Sequence, residues 1–256
     1  MGHNRLTDIE FWESFYSKRK VVNVGLKSRS IIVDHLKKIF QKHLPKGNLN
    51  FLEFGCGDSR WLPYFAKSFS YTISGIDYSD TGINLLQKKL EVNNVNGKIY
   101  KLDFTSPFPK GLNERFDLAS SFGVIEHFES PSAVLRIFTK VVKSEGIIIT
   151  VIPKLTGLQG AMQKMINKDI FLKHNILNMR EFIEEHRKAG FNVFFSSETG
   201  LITLGINFGA KLKLMNFVYR VYCKVVNTAF QNLVGNRFVD LFKIGSSFLI
   251  LSRKVE

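Results

Sequence analysis

The amino-acid sequence predicts an α/β protein whose mostly parallel sheet carries helices on both faces. Three observations support this. From Asn48 to Pro153, short apolar runs alternate with segments of helical period. The apolar runs stop at turn residues, as buried strands do. The 256 residues are 45% hydrophobic and 23% charged, the balance of one elaborated α/β domain or a core with an appendage.

The elements follow in order. The N-terminal 47 residues read as helical, most clearly from Ser30 to His43. Leu49 to Phe54 is an apolar run that ends at Gly55, a buried strand meeting a turn. Ser59 to Ser68 reads as a helix and Thr72 to Asp77 as the second strand. Thr81 to Asn93 is an amphipathic helix with Ile83, Leu86 and Leu90 on one face. Ile99 to Asp103 and Phe116 to Ser121 are the third and fourth strands, and Ser132 to Val142 is a helix. Gly146 to Ile152, rich in β-branched residues and stopped by Pro153, is the fifth. Asn178 to Ala189 is a helix ended by Gly190, with Met179, Phe182, Ile183 and His186 in register. Phe191 to Ser196 and Ser247 to Ser252 complete seven strands. Between these last two lies an insertion, in which Leu212, Met215, Tyr219, Tyr222, Val226 and Phe230 fall at helical spacing beside a more basic stripe of Lys213, Phe217, Arg220 and Lys224. It reads as a helix packed on the core, or as one that docks on a membrane surface. The expected divisions are a lid over 1–47, a core over 48–197, the insertion over 198–245 and a last strand over 246–256, all in one domain.

Composition excludes several classes. The longest uncharged stretches, Thr199 to Ala210 and Val225 to Asn236, are 12 residues each and too short to span a bilayer. The opening MGHNRLTDIE has no apolar signal region, and Cys56 and Cys223 suggest neither a disulfide framework nor a zinc site, so a reducing, cytoplasmic setting is expected. No metal site is legible in the spacing. The net charge of +14 gathers at the ends: residues 1–50 hold 10 basic and 4 acidic side chains, residues 209–256 hold 8 and 2. Such ends suit an anionic small molecule, a membrane surface or nucleic acid, or are a solvated lysine-rich surface.

The most informative segment is Phe51-Leu-Glu-Phe-Gly-Cys-Gly-Asp58, a strand running into two glycines one residue apart. Glycines let the backbone turn sharply and let a ligand approach the main chain. The third glycine of the dinucleotide fingerprint is missing. An acid, Asp77, closes the next strand about 20 residues on, where a ribose diol is held in nucleotide-binding sheets. A second acid, Asp103, closes the third strand.

With the motifs LEFGCGDS, GIDYS, KLDF and FDLASSFGVIEHF standing in this order, the sequence resembles the class I S-adenosylmethionine-dependent methyltransferases over residues 48–152 and the two terminal strands. The resemblance implies a Rossmann-like, doubly wound, seven-stranded sheet with an N-terminal helical lid. It implies S-adenosyl-L-methionine as cofactor and S-adenosyl-L-homocysteine as product. Position by position, Glu53, Gly55, Cys56 and Gly57 would surround the methionine part of the cofactor. Asp77 would accept both ribose hydroxyls, Tyr78 would pack on adenine, and Asp103 would receive the adenine amino group with Phe104 beside the ring. Ser121 would offer its carbonyl to the cofactor's ammonium, and Phe122 would line that pocket. Cys56 reads as a small residue in a tight loop, since a nucleophile needs a partner base.

On the acceptor side, His127 is the expected base, an unperturbed imidazole that takes a proton near neutral pH; a scaffold role stands beside it. His174, in the loop region after the fifth strand, is a second candidate of the same kind. The aromatic stretch Phe11 to Tyr16 resembles a lid helix, with Tyr16 at the acceptor, or is a buried helix face. Arg29 and Arg180 are expected to grip an anionic acceptor by bidentate hydrogen bonds. The expected reaction is O-methylation of a small polar or anionic acceptor, such as a sugar or phosphorylated intermediate of cell-surface glycan synthesis. The alternative acceptor is a quinone or lipid-linked molecule, with peripheral membrane contact through the basic C-terminal insertion. A nucleic-acid methyltransferase and a non-catalytic cofactor-binding protein rank lower. The fourth strand ends in Ser-Ser-Phe-Gly, without the Asn-Pro-Pro-Tyr type of motif, so no nucleic acid partner is expected.

Overall fold

The structure is a computed structural model that describes residues 4–21, 31–107, 111–199, 221, 225 and 245–255. Of the helix expected over the insertion only Val221 and Val225 fall within this set, both helical and exposed.

Seven strands form one sheet: β1 (Asn50–Phe54), β2 (Thr72–Asp77), β3 (Gly97–Lys101), β4 (Phe116–Phe122), β5 (Val142–Pro153), β6 (Phe191–Thr199) and β7 (Ser247–Lys254). Their order is β3-β2-β1-β4-β5-β7-β6, and only β7 runs antiparallel to its neighbours. The helices among the described residues are α1 (Ile9–Ser17), α2 (Ile31–His43), α3 (Trp61–Phe69), α4 (Asp80–Val92), α5 (Pro131–Val141), α6 (Gly157–Ile166), α7 (Lys168–Leu172) and α8 (Met179–Lys188). A 3-10 turn at Ile125–His127 follows β4. The Rossmann-like, doubly wound architecture expected from the sequence is the one observed.

The sheet is covered on both sides because its strands are apolar on both sides. Successive residues point to opposite faces. Thus Leu52 and Phe54 join a core with Ala119, Ile148, Phe138 and Ile250. Phe51 joins a second core with Leu118, Ile149, Phe65, Phe40 and Leu251. The caps are equally local. Ser79 accepts the Gly82 N–H at the head of α4, and Asn178 and Glu181 make a reciprocal capping box at the head of α8. His186, read in register with the α8 core face, is fully buried, with Nε2 2.8 Å from Thr150 Oγ1 and Nδ1 2.9 Å from Ser252 Oγ.

Three expectations shift. β3 starts and stops two residues earlier than read, which leaves Leu102 and Asp103 beyond the strand; the Leu102 N–H still bonds Asp77 O at 2.8 Å. β5 begins at Val142 directly out of α5, and a Cβ on Gly146 would lie 2.2 Å from Val142 Cγ1. The region after β5 is two helices, α6 and α7, rather than a loop. Asn167 ends α6 and caps α7 through Ile170 N, a junction with no glycine or proline to announce it.

β1 is flanked by β2 on one side and β4 on the other. The two connections leave β1 in opposite directions, so a crevice opens at the carboxyl ends of these strands.

Candidate active site

A cavity of about 440 Å³ fills that crevice. Its floor is the loop after β1. Gly55 (φ +64°) and Gly57 (φ +20°) take backbone conformations that side-chain-bearing residues avoid. A Cβ on Gly55 would come 2.5 Å from Val124 Cγ2, and one on Gly57 would come 2.0 Å from the Tyr16 hydroxyl. The loop is held by side chains beneath it. Gly57 N–H donates to Asp77 Oδ2 at 2.7 Å, and Ser79 N–H donates to Asp77 Oδ1 at 2.8 Å. Asp77 therefore ties the glycine loop to the head of α4, and burial pushes its carboxyl above the ordinary value. Ser59 Oγ donates to Glu53 Oε2 at 2.6 Å, yet burial raises the Glu53 carboxyl to about 8. Cys56 is 1% exposed, with Sγ packed over Gly75; burial and the Asp77 charge raise its thiol. That environment keeps the thiol protonated, as expected of a small residue in a tight loop.

The lid comes from α1 and the residues before it. Asp8 caps α1 by accepting the Phe11 N–H at 2.7 Å. Tyr16 is buried against Gly57 and Gly82, so it sits over the glycine loop. Trp12 sets its ring edge-on to His127, centroids 5.1 Å apart. The N-terminal strand segment is stitched down by Leu6 N–H to His127 O (2.8 Å) and Glu129 N–H to Asn4 O (3.1 Å).

The opposite wall comes from the 3-10 turn and from the residues after α7. His127 is 6% exposed, and its Nδ1 lies 2.7 Å from Lys173 O. His174 Nδ1 lies 2.7 Å from Ile170 O. A carbonyl only accepts, so each Nδ1 carries the proton and each Nε2 keeps its lone pair. The rings are 4.5 Å apart. Burial, helped by His174, lowers His127 to about 3, and burial lowers His174 as well. The expectation of an unperturbed imidazole at His127 is therefore corrected: the ring is present and faces the cavity, but desolvation holds it neutral. Glu126 is buried beside it, its carboxyl raised to about 8 by burial.

Of the residues named from sequence, Tyr16, Glu53, Gly55, Cys56, Asp77, Tyr78, Phe104, Phe122, His127 and His174 line the one cavity. Gly57 stands behind it, bonded to Asp77. Ser121 is buried in the sheet behind Phe122. Asp103 is turned aside: its carboxylate pairs with Arg5 and accepts from Thr105 N–H and Oγ1, so it does not line the cavity. Arg180 is exposed on the first turn of α8 and stands outside the wall. Arg29 lies outside the described residues. Sequence reasoning missed Arg5, whose guanidinium lies 4.8 Å over the Tyr78 ring, and Trp61, stacked on Phe122 at 5.0 Å. It also passed over Glu126, although the adjacent His127 was the available signal.

These groups fit a nucleoside with an amino-acid tail. Each Asp77 oxygen has accepted one backbone N–H and keeps a lone pair for a ribose hydroxyl. The Cβ positions of Gly55 and Gly57 are taken by Val124 and Tyr16, which pack directly on the loop, and Tyr78 and Phe104 line the cavity. Fold and site together define a class I S-adenosylmethionine-dependent methyltransferase.

Comparison with known proteins gives the family. A family model described as "Methyltransferase domain" matches residues 27–194, more than half of the chain, and the chain belongs to that family. It is 24% identical over 97 residues to a ubiquinone biosynthesis O-methyltransferase of Neisseria meningitidis, a match covering 38% of this chain and 41% of that protein. In fold it is similar to a Haloferax volcanii protein assigned as a methyltransferase, in complex with the methyltransferase activator Trm112 (TM-score 0.64, 11% identity, 100% of both chains). It is also similar to Haemonchus contortus phosphoethanolamine N-methyltransferase 2 bound to S-adenosylhomocysteine (TM-score 0.60, 12% identity, 97% of this chain and 57% of that one). The chain therefore carries a methyltransferase domain. Among the described residues no helix is long and apolar enough to cross a membrane.

Proposed function

We propose that the enzyme methylates a hydroxyl oxygen of a small acceptor that carries an apolar ring face, a phenol or quinol. The observation behind this reading is the convergence of the His127 and His174 imidazoles, each oriented by a backbone carbonyl, on the cavity that also holds Asp77 and the glycine loop. Phe11, Trp12, Phe15 and Leu155 line the same cavity and suit an apolar ring. The relative from ubiquinone biosynthesis points the same way.

The cofactor supplies a methyl group made electrophilic by its sulfonium. In this reading Asp77 holds the ribose hydroxyls, Tyr78 and Phe104 take the adenine, and Glu53, Gly55, Gly57, Ser121 and Phe122 surround the methionine part. The lid residues Trp12 and Tyr16 exclude water. The acceptor hydroxyl meets the Glu126–His127–His174 cluster, which withdraws its proton as the oxygen attacks. Orientation and desolvation provide most of the acceleration, because the methyl group needs no further activation.

A second reading keeps the polar or anionic acceptor expected from the sequence. Arg19 and Arg60 in the cavity wall favour it. Methyl-labelled cofactor, offered with catechol and hydroquinone head groups in one series and sugars and sugar phosphates in another, separates the two. Label in the phenolic series alone supports the first reading. Label in the sugar series alone replaces it with the second, and label in neither removes both.

A further inference from the structure

We propose that Glu126, His127 and His174 form a binding site for one divalent transition-metal ion of the zinc and iron(II) class. One donor atom from each of the three side chains lies within 4.8 Å of the other two. Around a tetrahedral zinc with bonds of about 2.0–2.1 Å the donors stand about 3.4 Å apart.

Three features prepare these groups for an ion. First, both histidines donate Nδ1–H to a backbone carbonyl at 2.7 Å, His127 to Lys173 and His174 to Ile170. This is the outer hydrogen bond that metal-bound histidines make, and it leaves Nε2 as the ligating atom. Second, Glu126 Oε2 is buried without a hydrogen-bond partner, a costly state for a carboxyl oxygen that a cation would relieve. Third, the two ligand-bearing segments are already fastened together. Asn175 N–H donates to Glu126 O at 2.6 Å, and its Nδ2 donates to Phe128 O at 3.2 Å and Glu129 O at 2.9 Å. The third ligand thus arrives on a segment locked to the turn that carries the first two.

The donor set selects the metal. Two imidazoles and one carboxylate suit zinc, iron(II) or cobalt(II), whereas magnesium and calcium prefer all-oxygen shells. Three protein ligands leave a position open toward the cavity. If the O-methylation reading holds, an acceptor hydroxyl takes that position. With the ion bound, the Nε2 lone pairs are engaged as ligands, so the ion replaces the imidazoles in this step: the oxygen keeps the O–H electron pair as the metal–oxygen bond forms, and the proton leaves to solvent before the lid residues cover the site. Only this role rests on that reading; the site itself does not.

The test uses the full chain, stripped with a chelator and titrated with cobalt(II) and then zinc(II). Binding is followed by the visible cobalt spectrum and by calorimetry. One ion per chain is expected, with affinity falling more than about 100-fold in His174→Ala and in Glu126→Gln. S-adenosylhomocysteine binding, measured on the same samples, shows that both variants are folded. No stoichiometric ion in the unaltered chain overturns the site, and so does equal affinity in both folded variants. Because neither readout uses methyl transfer, a wrong acceptor leaves this result standing.

Discussion

The two sides of the cavity are built by different means. The glycine-loop side is made of strand ends and main chain. Its buried carboxylate, Asp77, accepts a backbone N–H at each oxygen and so fixes the loop. The histidine side is made of side chains on short irregular segments, the 3-10 turn and the residues after α7, joined by bonds from Asn175. A ligand common to a whole family can be held by backbone, which any sequence of the right spacing supplies. An acceptor peculiar to one enzyme needs side chains on segments free to vary. Substitutions on the two sides should therefore fail differently.

The largest effect belongs to the backbone side. Asp77→Ala removes both N–H acceptors and the proposed ribose contacts. Two charge-assisted hydrogen bonds at about 1.5–3 kcal/mol each predict cofactor affinity lower by at least 100-fold, read by calorimetry. The melting temperature should fall too, since the loop loses its anchor. An unchanged dissociation constant would show that the two sides do not divide the labour as argued. Next, His127→Ala should reduce turnover at saturating cofactor by about 100-fold, the lower end of what a positioned proton acceptor contributes. Cofactor affinity should stay within about twofold. A parallel loss of both would make His127 part of the scaffold and erase the distinction.

The same contrast explains what was legible in the sequence. Gly55, Gly57 and Asp77 are fixed by strand periodicity and by one spacing, so the order of the strands and the cofactor side could be read. Asp103 could be placed near the end of the third strand, which stops two residues before it, but not aimed, because its partner Arg5 is 98 residues away and on no motif. His174 could be suspected but not joined to His127. The joint depends on α6 and α7, whose boundary at Asn167 carries no punctuation in sequence, and on backbone carbonyls that no residue type encodes. Glu126 was hidden for another reason: burial without a partner is a property of the fold, and the letter E by itself reads as surface.

A third prediction lies away from the cavity, on the sheet that supports both sides. His186 is fully buried and lowered to about 3 by burial, while an unfolded histidine titrates near 6.5. Between these values the unfolded chain binds more protons than the folded one. Stability is therefore complete above about pH 6.5 and falls as pH drops toward 3, by up to about 1.4 kcal/mol per pH unit. His127 adds to the same slope. Urea unfolding of the wild type and of His186→Gln at pH 7.5 and 5.5 should show a smaller acid loss in the variant. Equal losses would mean that His186 is already solvated in the native state.

The smallest effect sharpens the comparison most, because it lies where the two sides meet. Arg5 pairs with Asp103 and stacks on Tyr78 at the adenine end, and the bridge between Arg5 and Phe128 leads to the histidine turn. The pair is partly exposed, 22% for Arg5 and 31% for Asp103, so its own worth is under about 1 kcal/mol. Arg5→Gln should leave the melting temperature nearly unchanged. It frees Asp103 from its ion pair and removes the cation over Tyr78. If the adenine amino group is received by Asp103, cofactor affinity should rise a few-fold in the variant, because the carboxylate no longer has to exchange one partner for another. If instead Arg5 itself closes the adenine pocket over Tyr78, affinity should fall by a similar factor. The sign decides whether the N-terminal segment competes with the cofactor or completes its site.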